Sequence, residues 1–289
     1  MSAAHTPAQD PAEFKAAQRQ AWGDAAAGWR TWWRVFEGAA QGLNERIVDL
    51  AEIRAGSRVL DVATGIGEPA LTAARRVGRA GSVLATDLAP EMLAFAAERA
   101  AELDLSNVAL REMDAESLEL EPGSFDAATS RWGLMLFADP LAAARGVRRA
   151  LKPGGRFAAA VWGRPERVPF LAIPHQIAAR VLGDPPPPPG APGAFALAAD
   201  GALESVMTRA ELRDVRTEIL TVAFEFASSG EYARFLGDLS ATMRKALAEK
   251  PADVQARILA EVERESARHA LPDGRIRLVN EVRCVSGAR

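Results

Sequence analysis

Val59-Leu60-Asp61-Val62-Ala63-Thr64-Gly65-Ile66-Gly67-Glu68-Pro69-Ala70 is a short apolar run that ends on a carboxylate, crosses a loop of small residues and reopens as a helical pattern. A buried strand that turns beneath a ligand into a helix has this shape. Glycines let the backbone come close to the ligand. The N-terminus of the following helix offers unpaired N–H groups. Pro69 suits the first helical turn, where its missing N–H costs nothing. The stretch reads as a site for a nucleotide-like ligand and leaves open which one.

Outward from it, strands and helices alternate. Strands are expected at 58–62, 82–86, 107–111, 125–130 and 156–162, with helices at 69–77, 90–103 and 140–151. Near-continuous apolar strands in that rhythm imply a parallel sheet covered on both faces. Lys152-Pro153-Gly154-Gly155 reads as the turn into the fifth strand. Residues 1–11 read as a disordered tail and 13–50 as helix. After Trp162 the rhythm breaks into a helical segment and a stiff polyproline stretch at 185–189. A helix at 199–212, a long strand at 215–226, helices at 230–249 and 252–269, and a closing strand at 275–285 complete the reading. The predicted fold class is α/β: a Rossmann-like, seven-stranded, mostly parallel sheet with helices on both faces, an N-terminal helical lid and helical cap insertions. One integrated domain is expected, divided into tail and lid (1–52), cofactor-binding core (53–162), cap insertion and return helix (163–211), and C-terminal strands with an intervening helical pair (212–289).

Composition narrows the function. The chain has 289 residues, 48% of them apolar, and a formal net charge of −3. Nothing in that balance favours nucleic acid or an anionic membrane. No run reaches the roughly 20 apolar residues of a membrane span, and the first residues have no signal-peptide core. A cytoplasmic protein acting on a small molecule is expected, with a homodimer left open. The single cysteine, Cys284, sits in an apolar run and reads as core. No metal site is expected, because no His, Asp, Glu and Cys cluster has ligand spacing.

Three carboxylates fall at successive strand ends: Asp61, Asp87 and Asp114. In an open parallel sheet those ends share one crevice. Asp87, 20 residues beyond Gly67, can accept from two ribose hydroxyls. Asp114 can accept from an exocyclic adenine amine, and Asp61 can orient an ammonium group. The bland reading makes each a helix or turn cap. Gly65, Gly67 and Ala70 also satisfy the loose dinucleotide fingerprint, so an NAD(P)-dependent oxidoreductase is the rival enzyme. A non-catalytic cofactor-binding regulator is the rival outside enzymes.

With Leu60–Gly67, Thr86-Asp87-Leu88-Ala89-Pro90-Glu91-Met92-Leu93, Met113-Asp114-Ala115, the run from Phe125 to Met135 and Leu151-Lys152-Pro153-Gly154-Gly155 taken together, the chain resembles the class I S-adenosylmethionine-dependent methyltransferases. It is most similar to the subgroup related to ubiquinone and menaquinone biosynthesis. The matches run in the family's order over about 50–165. The family's first loop glycine is Ala63 here, and Pro69 replaces a third glycine. The resemblance implies that Asp61, Ala63, Gly65 and Gly67 surround the methionine part of S-adenosyl-L-methionine. Asp87 and Leu88 would hold its ribose, with Met92 near the adenine. Asp114 and Ala115 would bind adenine, and Ser130 and Arg131 would line the cofactor beside the acceptor. The products would be the methylated acceptor and S-adenosyl-L-homocysteine.

Methyl transfer from a sulfonium needs alignment and exclusion of water more than it needs a metal. A base is required only when the acceptor must lose a proton of high pKa. His175 and Tyr232 are the candidate catalytic residues; His5 lies in the tail and His269 ends a helix, where it suits the dipole. Four of the six tryptophans fall at Trp22, Trp29, Trp32 and Trp33. They read either as core or as a lid. With Trp132 and Phe170, Trp22, Trp29 and Trp33 form the expected acceptor pocket, and Phe195 and Phe235 could extend its wall. The expected acceptor is small and apolar or aromatic: a quinone, a phenol or another secondary metabolite.

Overall fold

The computed structural model describes residues 10–183, 190–239 and 250–289. Residues 1–9 of the expected tail, His5 among them, the 185–189 polyproline stretch and the second half of the 230–249 helix lie outside those residues; the last two tail residues, Asp10 and Pro11, instead cap and open the first helix. Seven strands form one sheet: β1 (Arg58–Val62), β2 (Ser82–Asp87), β3 (Val108–Glu112), β4 (Phe125–Arg131), β5 (Leu151–Trp162), β6 (Arg213–Phe226) and β7 (Ile276–Ala288). Their order is β3-β2-β1-β4-β5-β7-β6. The β1–β2, β1–β4, β2–β3 and β4–β5 pairs are parallel, while β7 runs antiparallel to both β5 and β6. An inverted strand in that position sets this sheet apart from the all-parallel dinucleotide fold, whose second half the rival oxidoreductase would need.

The helices are α1 (Pro11–Leu50), α2 (Ala70–Val77), α3 (Pro90–Glu102), α4 (Pro140–Ala150), α5 (Pro169–Leu182), α6 (Ala202–Arg209), α7 (Ser229–Leu239) and α8 (Ala252–Ser266). The 152–155 turn is an excursion inside β5 rather than a boundary before it. The ladder jumps from Phe125↔Leu151 to Ala127↔Arg156, and Gly154 takes φ +81° there. The last strand outruns its expected end at 285 because Val285, Ser286, Gly287 and Ala288 keep pairing with β5.

Helix α1 is one unbroken 40-residue element. Asp10 caps it through Ala12 N at 2.9 Å. It crosses α7 so closely that a side chain on Gly28 would strike the Asp238 carbonyl at 2.2 Å. Trp32 Nε1 donates to the Asp238 carboxylate at 2.8 Å in the same contact.

Helix α5 contains Pro174, which has no N–H for the Phe170 carbonyl four residues back. Tyr232 Oη donates to that carbonyl instead, at 2.6 Å. The Phe170 N–H donates to Asn280 Oδ1 at 2.9 Å. Phe170 is thereby fixed on both sides in a fully buried site, and its ring stacks on Phe224 at 4.1 Å. Tyr232→Phe is expected to leave the carbonyl unpaired and to cost about 1–3 kcal/mol in urea unfolding. An unchanged midpoint would show that the bond contributes nothing.

Candidate active site

The strand order reverses between β1 and β4, and ligands of open α/β sheets bind outside the carboxyl ends of the strands at such a point. A cavity of about 780 Å³ opens there. Ala63, Gly65, Asp87, Leu88, Met92, Asp114, Ala115 and Arg131, which the family resemblance assigns to the cofactor, line it. Asp61, Gly67 and Ser130 are not in the wall.

The glycine loop is held by the carboxylate expected to read ribose. Gly65 N donates to Asp87 Oδ2 at 2.8 Å and Ala89 N to Asp87 Oδ1 at 3.0 Å. Burial raises the Asp87 pKa against these donors. Each oxygen keeps a lone pair for one more donor. The capping reading of Asp87 is thus true as well, without using up the carboxylate. Ala63 adopts φ +57°, where the family carries glycine. Its methyl fits because residue 133 is glycine: a Cβ there would come within 2.7 Å of Ala63 Cβ.

Asp61 is completely buried. Thr129 Oγ1 donates to its Oδ1 at 2.6 Å, while Oδ2 has no partner among the described residues. Burial pushes its pKa up to about 7, against the Thr129 bond and the Arg131 charge. Ser130 Oγ and Arg131 Nε are also buried and unpartnered among the described residues, while the Thr64 hydroxyl lies close enough to Asp61 to act with Thr129 against the rise in its pKa. Asp61 Oδ2, Ser130 Oγ and Arg131 Nε are thus polar groups left unsatisfied near the crevice, although Asp61 and Ser130 themselves do not reach its wall. Because the folded chain holds the Asp61 proton more tightly than an unfolded one, Asp61 subtracts stability as pH rises from its ordinary 3.8 towards 7. Asp61→Asn is expected to flatten that part of the stability–pH profile. A profile parallel to the parent's across that window would refute the assignment.

At the β3 end of the crevice, Asp114 Oδ1 accepts from Glu116 N at 2.9 Å and Oδ2 from Lys15 Nζ at 2.7 Å. Burial alone would raise the Asp114 pKa, but these donors hold it below the usual range. Arg19 pairs with Glu112 at 2.9 Å in the same region. The start of α1 therefore crosses the mouth of the crevice. Lys15 gave no motif in the sequence; only its helical spacing to Gln18 and Trp22, which also line the cavity, hinted at it.

The other half of the cavity is aromatic. Trp22, Trp29 and Phe36, seven residues apart on one face of α1, line it with Trp132, Trp162, Phe170 and Phe235. Trp132 holds φ +58° at the end of β4 and stacks on Trp162 at 4.2 Å. Trp33 departs from its expected place. It faces α3, with the Arg99 guanidinium 4.5 Å from its ring centre and Phe95 edge-on to it. Phe195 is also outside the wall and packs edge-on against His175.

Tyr232 is corrected too: it is fully buried behind Phe170, outside the wall, and its hydroxyl is committed to the Phe170 carbonyl. Burial raises its pKa well above the ordinary value. Cys284 is core, as expected, and burial pushes its thiol up to about 12. His175 does line the cavity, from α5.

Behind the lining, Arg131 forms a bidentate pair with Glu37 of α1, at 2.8 and 2.5 Å, and donates to Asn44 Oδ1 at 2.7 Å. Burial would raise the Glu37 pKa, but the Arg131 charge holds it low. Glu37 and Asn44 carried a signal: they are polar residues set seven apart on the buried face of an amphipathic helix.

The sheet order, the crevice with Asp87 and Asp114 in its wall and the glycine loop agree with the family resemblance. A methyltransferase-domain family profile matches residues 59–155. A ubiquinone/menaquinone biosynthesis C-methyltransferase from Ectopseudomonas oleovorans is 36% identical over 124 residues, covering 42% of this chain and 73% of that protein. The nocamycin O-methyltransferase of Saccharothrix syringae is 39% identical over 111 residues, covering 38% and 40%. The solved YcgJ protein of Bacillus subtilis shares the fold, with a TM-score of 0.57 at 20% identity over 85% of this chain and 97% of that one. The chain belongs to the class I S-adenosylmethionine-dependent methyltransferases and resembles their ubiquinone/menaquinone subgroup. It spans between 48% and 65% of the length of the first curated relatives it matches. No helix among the described residues is long and apolar enough to cross a membrane.

Proposed function

We propose that this chain transfers a methyl group from S-adenosyl-L-methionine to a small apolar or aromatic acceptor: a quinone, a phenol or a related secondary metabolite. The observation that carries the reading is that one continuous cavity joins the Asp87 and Asp114 crevice to a chamber of stacked aromatic rings. When bound, the sulfonium supplies an activated methyl carbon. Asp87 would accept from the ribose hydroxyls, Asp114 and Ala115 would face the adenine, and the Asp61 carboxylate would sit near the ammonium group. Trp29, Phe36 and Trp132 would hold a planar acceptor and exclude water.

Helix α1 serves in this reading as the lid and residues 163–211 as the cap, tied to the core where Gly193 N donates to Met135 O at 2.9 Å. The net charge of −3 supports a small molecule over a nucleic acid, and a cytoplasmic setting fits the same reading. The test is transfer of isotope-labelled methyl groups to a panel of quinols and phenols, run beside calorimetry with S-adenosyl-L-homocysteine. Binding with transfer supports the proposal; absence of homocysteine-product binding refutes it.

A further inference from the structure

The aromatic chamber contains one oriented imidazole. His175 projects from α5 on the same face as Leu171 and Leu182, and all three line the cavity. Its Nδ1 lies 2.6 Å from the Leu171 carbonyl oxygen. A carbonyl only accepts, so Nδ1 must carry a proton, and in the neutral ring the lone pair belongs to Nε2. The ring is held edge-on by Phe195, with centroids 6.0 Å apart. His175 is half-buried in a wall of apolar side chains. Nε2 is neither sealed nor paired with another described residue. The other ionisable groups of the cavity wall are spoken for or placed elsewhere. Lys15, Asp114 and Glu116 pair with one another at the crevice mouth. Glu68 is tied to Arg99 and Thr72, and Arg131 to Glu37. Asp87 holds the glycine loop, and Lys250 is exposed.

We propose that His175 is the general base of this chain and that its acceptor is therefore a weakly acidic hydroxyl, a phenol or enol, methylated on oxygen. This rests on the methyltransferase reading above. His175 Nε2 takes the hydroxyl proton as the acceptor oxygen forms its bond to the methyl carbon. The carbon–sulfur bond breaks, and its electron pair stays on sulfur, which becomes a neutral thioether. The imidazolium then returns its proton to solvent. Burial lowers the His175 pKa, which keeps the ring ready to accept a proton near neutrality.

The experiment compares the parent with His175→Ala and His175→Gln on phenols of graded acidity, from alkylphenols to nitrophenols already ionised at the assay pH. Calorimetry with S-adenosyl-L-homocysteine runs in parallel. On the alkylphenols both variants are expected to lose about 10²-fold or more in kcat, with little loss on the nitrophenols and unchanged binding of the homocysteine product. Equal losses along the series overturn the base assignment. A parent that binds the product but methylates no phenol overturns the hydroxyl assignment. A parent that does not bind the product fails earlier, at the methyltransferase reading itself.

Discussion

Asp87→Ala is expected to weaken S-adenosyl-L-homocysteine binding by about 10²- to 10⁴-fold. Two hydrogen bonds from ribose hydroxyls to a carboxylate contribute about 1.5–3 kcal/mol each, and each 1.4 kcal/mol is tenfold in Kd. A second consequence acts in the same direction. Asp87 also anchors Gly65 N and Ala89 N, so the alanine variant loosens the loop that must pass beneath the ligand. Asp87→Asn separates the two effects. It keeps one acceptor oxygen and should retain part of the affinity. Calorimetry reads both variants, and an alanine variant that binds like the parent would remove Asp87 from the ribose site.

The crevice was legible because its signal is local. Asp87 ends β2 and Asp114 follows β3, strands that their apolar runs mark, and parallel pairing brings those strand ends together; Asp61, inside β1, stays behind the wall. The acceptor chamber was legible only in part, because its walls come from distant segments. Trp22 and Trp29 line it, whereas Trp33, four residues beyond Trp29, faces Arg99 and α3. Aromatic spacing alone does not say which stripe of a 40-residue helix turns inward. Tyr232 misled for a related reason. Its hydroxyl answers a carbonyl freed by Pro174 on another helix, a need that becomes visible only when α5 and α7 are packed together. The family profile ends at residue 155, before the cap begins. The strand ends and glycine loop proposed to hold the donor therefore lie within the matched part of this chain. Most of the aromatic chamber proposed for the acceptor is built from α1 and from residues beyond that match.

Glu37→Ala is expected to be the most destabilising single change in α1. It strips Arg131 of both partner oxygens in a site where each side chain is about 5% exposed. An unpaired buried guanidinium typically costs about 3–5 kcal/mol. Asn44 Oδ1 remains as one acceptor and cannot neutralise the charge. The double variant Glu37→Leu with Arg131→Met should recover most of that loss, since matched apolar replacements of buried ion pairs are often neutral or stabilising. Urea unfolding measures both. If the single variant is as stable as the parent, or if the double variant is the weaker of the two, the penalty of an uncompensated charge is not what holds this site. The pair lies where α1 meets the end of β4, directly behind Phe36 and Trp132, with Arg131 4.9 Å from the Trp132 ring centre. The same contact that seats the helix therefore also sets the aromatic wall. A rescued double variant should fold well and still bind S-adenosyl-L-homocysteine less tightly, because it lacks the Arg131 charge that steadies the Asp61 carboxylate.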